Sequence, residues 1–107
     1  MIQSTIIVPV QDNDGQPFER RQWDALEARL LALAGGWTRQ PESEGAWAGP
    51  DGRVHTDRSR LYMLAFGSWR TLGDFIALAD WVRVEFRQEA VMVVIAGIPD
   101  VLGPGRG

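Results

Sequence analysis

Hydrophobic positions along this chain switch between two spacings, and the switches divide it into elements. Thr5-Ile6-Ile7-Val8-Pro9-Val10 is a run of β-branched and apolar residues, which predicts a strand. Pro9 has no amide hydrogen for a ladder, so pairing should weaken or end near it. Asp12-Asn13-Asp14-Gly15 is turn chemistry. From Glu19 to Ala34 the apolar residues Trp23, Leu26, Leu30 and Leu33 recur at three- and four-residue steps, the mark of one helical face. Gly35-Gly36 provides the stop, since glycine enters the left-handed region at little cost.

Residues 37 to 59 break the pattern. A connection this long is rarely structureless in a compact domain. Gly49-Pro50-Asp51-Gly52 predicts a tight hairpin with arms at residues 45–48 and 53–56. Gln40-Pro41-Glu42-Ser43-Glu44 before it reads as a mobile acidic loop. Arg60-Leu61-Tyr62-Met63-Leu64-Ala65-Phe66 is a second strand. A second helix opens at Thr71, with Asp74 in capping-box spacing, and carries Leu72, Phe75, Ile76, Ala79, Val82 and Phe86 on its apolar face. Residues 90–96 form a last strand, apolar at both parities and therefore shielded on both faces.

The order strand, helix, hairpin, strand, helix, strand predicts a ferredoxin-like α+β sandwich. An antiparallel sheet would carry two helices on one face and an inserted β-hairpin. Residues 1–102 form one domain in this reading, and 103–107 a flexible tail. The strands carry large apolar side chains at both parities, so the face without helices would be too apolar for water. A homodimer packed face to face answers this; the alternative is that residues 37–59 fold back over the sheet.

Composition removes several chemistries. The 107 residues include no Cys, which excludes disulfides and thiol catalysis. A single His argues against a His-based metal site and leaves only carboxylates to hold a hard cation; no metal and no cofactor is expected. All eleven basic residues are Arg, so a lysine Schiff base is impossible. Fourteen acidic residues give a net charge of −3, and no basic stripe suggests nucleic acid. No signal peptide and no membrane-length apolar run is visible, so the expected location is the cytoplasm.

The densest polar stretch holds the candidate site. Arg53, His55, Asp57, Arg58, Ser59, Arg60 and Tyr62 follow one another closely. Alternate residues of a strand share a face, so Arg53, His55 and Asp57 would point one way. Arg58, Arg60 and Tyr62 would join them after a bulge. His55 beside Asp57 is a possible acid–base pair. The arginines suit a carboxylate or phosphate. A solvated hairpin with surface ion pairs explains the same residues. Glu89 follows the second helix and reads either as the buried partner of a hairpin Arg or as a base. Trp37, Trp47 and Tyr62 could line a pocket for a flat ligand, or simply close the loop.

Gly45-x-Trp47, Pro50-Asp51-Gly52-Arg53-Val54, Arg58-Ser59 and Phe86-x-Gln88-Glu89-Ala90-Val91 together resemble a family of small bacterial proteins known only as a domain of unknown function. The resemblance implies the same fold and no particular activity. Two functions stay open. One is a homodimeric binding module for a small anionic or aromatic ligand or a protein partner, with Trp47, Arg53, His55, Arg58 and Tyr62 as ligand residues. The other is a small cofactor-free isomerase, lyase or hydrolase with His55, Asp57 and Glu89 as catalytic candidates.

Overall fold

The computed structural model describes residues 1–96 and 98–103. In chain order the elements are β1 (Ile2–Pro9), α1 (Arg20–Ala34), β2 (Thr38–Ala48), β3 (Val54–Phe66), α2 (Trp69–Glu85), β4 (Val91–Ile95) and β5 (Ile98–Leu102). One sheet has the order β2-β3-β1-β4-β5, with every neighbouring pair antiparallel. The first four strands and two helices make the ferredoxin-like α+β arrangement, and β5 extends it at one edge.

β1 lies at the centre because it is apolar at both parities. Its residues Ser4–Ile7 pair with β4, while Ile2–Pro9 pair with β3. Pro9 therefore sits beyond the reach of β4, where a missing donor costs least. In the following turn, Asp12 Oδ1 accepts the backbone N–H groups of Asp14 and Gln16, each at 2.9 Å. Gly15 there takes φ +80°.

Both helices cover the same face. Trp23, Leu26 and Leu30 of α1 and Phe75, Leu78, Ala79 and Val82 of α2 are buried. They meet Ile6 and Val8, Tyr62, Leu64 and Phe66, and Val91 and Val93, which alternate along β1, β3 and β4. Glu19 caps α1 through a capping box with Gln22, and Gly35 ends it at φ +78°. α2 begins at Trp69, two residues before the expected Thr71, because Ser68 takes the cap. Its hydroxyl accepts the Thr71 N–H at 3.4 Å, so Thr71 is a donor inside the first turn.

The 37–59 excursion differs most from expectation. Its 40–44 stretch is strand rather than loop: β2 runs from Thr38 to Ala48, with one extra residue bulged between Gln40 and Ser43. An edge strand tolerates the charges of Arg39, Glu42 and Glu44, which is why the polar composition misleads. β3 likewise joins the hairpin arm and the second predicted strand into thirteen continuous residues. The turn between β2 and β3 forms as predicted, with Gly49 N–H bonded to the Arg53 carbonyl at 2.8 Å and Gly52 at φ +79°. The excursion thus widens the sheet by pairing in it.

β5 has no counterpart in the sequence reading. It pairs with β4 from Val91↔Leu102 to Ile95↔Ile98. The reversal begins at Ala96, at φ +50°, whose N–H bonds the Gln3 carbonyl at 2.9 Å. Of the expected tail, residues 104–107 lie outside the described residues. No helix among the described residues is long and apolar enough to cross a membrane.

The sheet's second face is apolar, as its two-parity strands require. Ile7, Leu61 and Met63 are half-buried there and Met92 is 44% exposed.

Candidate functional site

Strand parity separates the polar stretch into two groups. β3 carries no irregularity between residues 54 and 66, and its ladder with β1 is continuous. The burial of Tyr62, Leu64 and Phe66 assigns the even positions to the helix side. Arg58, Arg60 and Tyr62 therefore share the helix side, and His55, Asp57, Ser59 and Leu61 the open face. The expected bulge that would unite them lies instead in β2.

On the helix side, Tyr62 is fully buried. Its hydroxyl donates to Glu27 Oε2 at 2.6 Å, and Arg39 Nη1 donates to the same oxygen at 2.6 Å. Trp37 Nε1–H donates to the Glu27 carbonyl at 3.1 Å and sets its ring edge-on to Tyr62 at 5.6 Å. Burial first, and the Glu27 carboxylate second, push the Tyr62 phenol up to about 12. The hydrogen bond to Glu27 raises the Arg39 guanidinium in turn. Tyr62 is therefore a core group tied into a polar network, away from any wall shared with Trp47. Of the expected trio Trp37, Trp47 and Tyr62, the structure brings Trp37 and Tyr62 together and leaves Trp47 on the other face of the sheet.

Next to this network is a cleft of about 710 Å3 between the first turn of α1, Phe18 and the strands β2 and β3. Arg20, Arg39, Arg58 and Arg60 line it, with Asp24, Glu27 and Glu42. The Arg60 guanidinium lies 4.1 Å above the Trp23 ring.

On the open face, a trough of about 770 Å3 runs under the hairpin, floored by Ile7, Leu61 and Met92 and walled by Trp47. It adjoins a smaller recess of about 370 Å3 lined by Asp12, His55 and Arg58. The two spaces share Pro9, Trp47, Asp57 and Gln88. Trp47 is 53% exposed and stacks on His55, with centroids 4.5 Å apart and planes at 21°. Trp47 and His55 face each other across the β2–β3 ladder, which puts both rings on one side. Gly49 makes room for the stack, since a Cβ there would come within 2.9 Å of His55 Nε2.

The expected pairings rearrange. His55 Nε2 lies 3.9 Å from Asp51 across the turn, and this replaces the supposed His55–Asp57 pair. Arg53 falls in the same turn, exposed, with its Nε 3.8 Å from Asp51. Arg58 pairs at 3.8 Å with Glu42, on the strand beside it, in place of Glu89. Glu89 is exposed at the α2–β4 junction, and its neighbour Gln88 is the residue that lines the trough and recess. Gln88 is held there by its Nε2–H bond to the Phe86 carbonyl at 2.8 Å. The sequence pointed to Glu89 at this junction, but after the reversal at Arg87, φ +51°, it is Gln88 that turns inward. Asp12 gave no sequence signal beyond its turn. Among the described residues no three His, Asp or Glu side chains gather as a metal site.

No protein-family profile and no curated protein matches the chain. Solved structures do resemble it. A phage SAM lyase in complex with S-methyl-5'-thioadenosine superposes with a TM-score of 0.66 at 18% identity, covering 99% of this chain and 92% of that one. CutA1 from Oryza sativa gives 0.61 at 19% identity, covering 95% and 81%. The divalent cation tolerance protein CutA1 from Thermus thermophilus gives 0.56 at 15%, covering 100% and 87%. At these identities the likeness establishes the fold, and over nearly its whole length the chain is a ferredoxin-like α+β protein.

Proposed function

We propose that this chain is a homodimeric binding module for a small ligand with a flat ring, taken into the trough under Trp47. The observation that carries the reading is the shared wall of the two spaces. An apolar trough and a polar recess meet at Trp47, Asp57 and Gln88, so one ligand can bury a ring in the first and present polar atoms to the second. Trp47 offers a face for stacking, Asp57 and Gln88 offer hydroxyl partners, and Arg58 and His55 suit an anionic or polar arm. The solved likeness to a protein holding S-methyl-5'-thioadenosine supports a nucleoside-like shape as the first ligand to try.

The rest of the open face, around Met63 and Val94, takes a second copy of the chain in this reading. Burying that apolar surface against itself about a two-fold axis would remove it from water. Light scattering at micromolar concentration is expected to give about twice the 11.9 kDa chain mass.

Calorimetric titration with S-methyl-5'-thioadenosine and with free adenosine tests the ligand. Binding is expected to weaken about tenfold or more in Trp47→Ala, the scale of a lost aromatic platform, with the melting temperature little changed because the ring is half exposed. Absence of binding to either compound, or equal binding by the variant, removes the trough from consideration. A second reading, a cofactor-free lyase at the same trough, draws on the same likeness. Incubation with SAM and chromatography for S-methyl-5'-thioadenosine separates it from simple binding.

A further inference from the structure

The cleft on the helix side is lined by four arginines and three carboxylates, in a chain whose net charge is −3. The trough ligand has no use for Arg20, Arg39 or Arg60, which line neither the trough nor the recess. We infer that this cleft is a second binding site, for a compact oxyanion such as a phosphate or carboxylate group, with Arg60 as its central donor.

The three carboxylates do not close it. Glu27 is turned to the network, with one oxygen receiving both Tyr62 and Arg39 at 2.6 Å. Asp24 and Glu42 meet Arg20 and Arg58 only at 3.9 and 3.8 Å, between side chains that are largely exposed. Pairs of that length and exposure are worth little and yield readily to a better acceptor. Arg60 differs from the others. Among the described residues it has no carboxylate within ion-pair distance, and its guanidinium carbon lies over the Trp23 ring, 4.1 Å from the centroid. Contact through the face of a guanidinium leaves its edge N–H groups available; part of the Arg60 edge is directed at the Tyr62 hydroxyl, and the rest opens on the cleft for an oxyanion. Trp23 is itself buried between Phe18 and Phe86, at 6.1 and 5.1 Å, so the arginine is held by a rigid support. A donor fixed before binding loses little freedom on binding. Arg58 and Arg60 are successive residues on one side of β3, and Arg39 comes from β2 beside them, so three guanidinium groups open on the same space.

The test uses the full chain and two probes, inorganic phosphate and acetate, at low ionic strength. Phosphate is followed by 31P line broadening, and both probes by the NMR shift of the Arg60 Nε–H. Saturable binding that weakens about tenfold or more in Arg60→Gln, and falls with added salt, is the expected result. The same variant should leave the response to S-methyl-5'-thioadenosine unchanged, which keeps this site distinct from the Trp47 trough. A phosphate-only response assigns a phosphate group, and response to both assigns any oxyanion. Should Arg60→Gln melt early, Arg20→Gln at an exposed position replaces it. No saturable binding of either probe, or binding indifferent to the variant used, overturns the inference.

Discussion

Tyr62 allows a test of the buried network that no other group in the chain obscures. It is the only tyrosine, and the chain has neither Lys nor Cys, so between about pH 9 and 12 it is the only side chain that titrates. In the folded protein its phenol is pushed from 10.0 to about 12, because ionisation would bury a phenolate next to the Glu27 carboxylate. A folded-state value above the unfolded one means that the folded chain holds the proton longer. The associated stability is therefore whole below pH 10 and is lost as pH rises toward 12. Two pH units correspond to about 2 to 3 kcal/mol, lost at up to about 1.4 kcal/mol per unit. Tyr62→Phe behaves differently. It removes a hydrogen bond to a charged acceptor, but Glu27 keeps Arg39, so the cost at neutral pH should be near about 1.5 to 2 kcal/mol, or about 6 to 10 °C in melting temperature. The variant should then show no decline between pH 10 and 12. Absorbance at 295 nm gives the direct reading, with tyrosinate forming near pH 12 in the native protein and near pH 10 in urea. A native midpoint near 10 would show a hydrated phenol without its Glu27 partner, and the account of the helix-side network would fall with it.

Met63 and Leu64 are adjacent in β3 on opposite faces, and the same substitution should separate their roles. Met63→Arg should leave a folded monomer by light scattering, whereas Leu64→Arg, at 3% exposure, should cost more than about 4 kcal/mol in urea melts by burying an unpaired charge. A dimer that survives Met63→Arg would rule out the proposed self-contact. Gly52→Ala, at φ +79° but with nothing within 4 Å of the new Cβ, should cost about 1 kcal/mol from backbone strain alone. Gly36→Ala, with equal space and no positive φ, is its control and should be neutral.

Local chemistry determined much of this protein. The three-four spacing from Trp23 to Leu33 and the Gly35-Gly36 stop are written within one element, so α1 was legible to a residue at its end. The turn at Gly49–Gly52 was legible for the same reason, since its demands fall on four consecutive residues. Two-parity apolar strands made the second sheet face foreseeable. What tertiary structure decided were relations between segments. Arg39, Glu42 and Glu44 have loop-like composition, and only the offer of β3 as a partner makes a strand of them. β5 likewise exists because β4 presents an edge to residues 98–102. The candidate site was legible as a set of residues and not as a geometry. Period-two alternation sends His55 and Arg60 to opposite sides of one strand, and the sequence does not show where in the hairpin a bulge will reset that alternation. Nor does it show that Glu27, thirty-five residues from Tyr62, will reach its hydroxyl. Such a contact depends on how a helix docks on a sheet, and that is settled by packing the whole core at once.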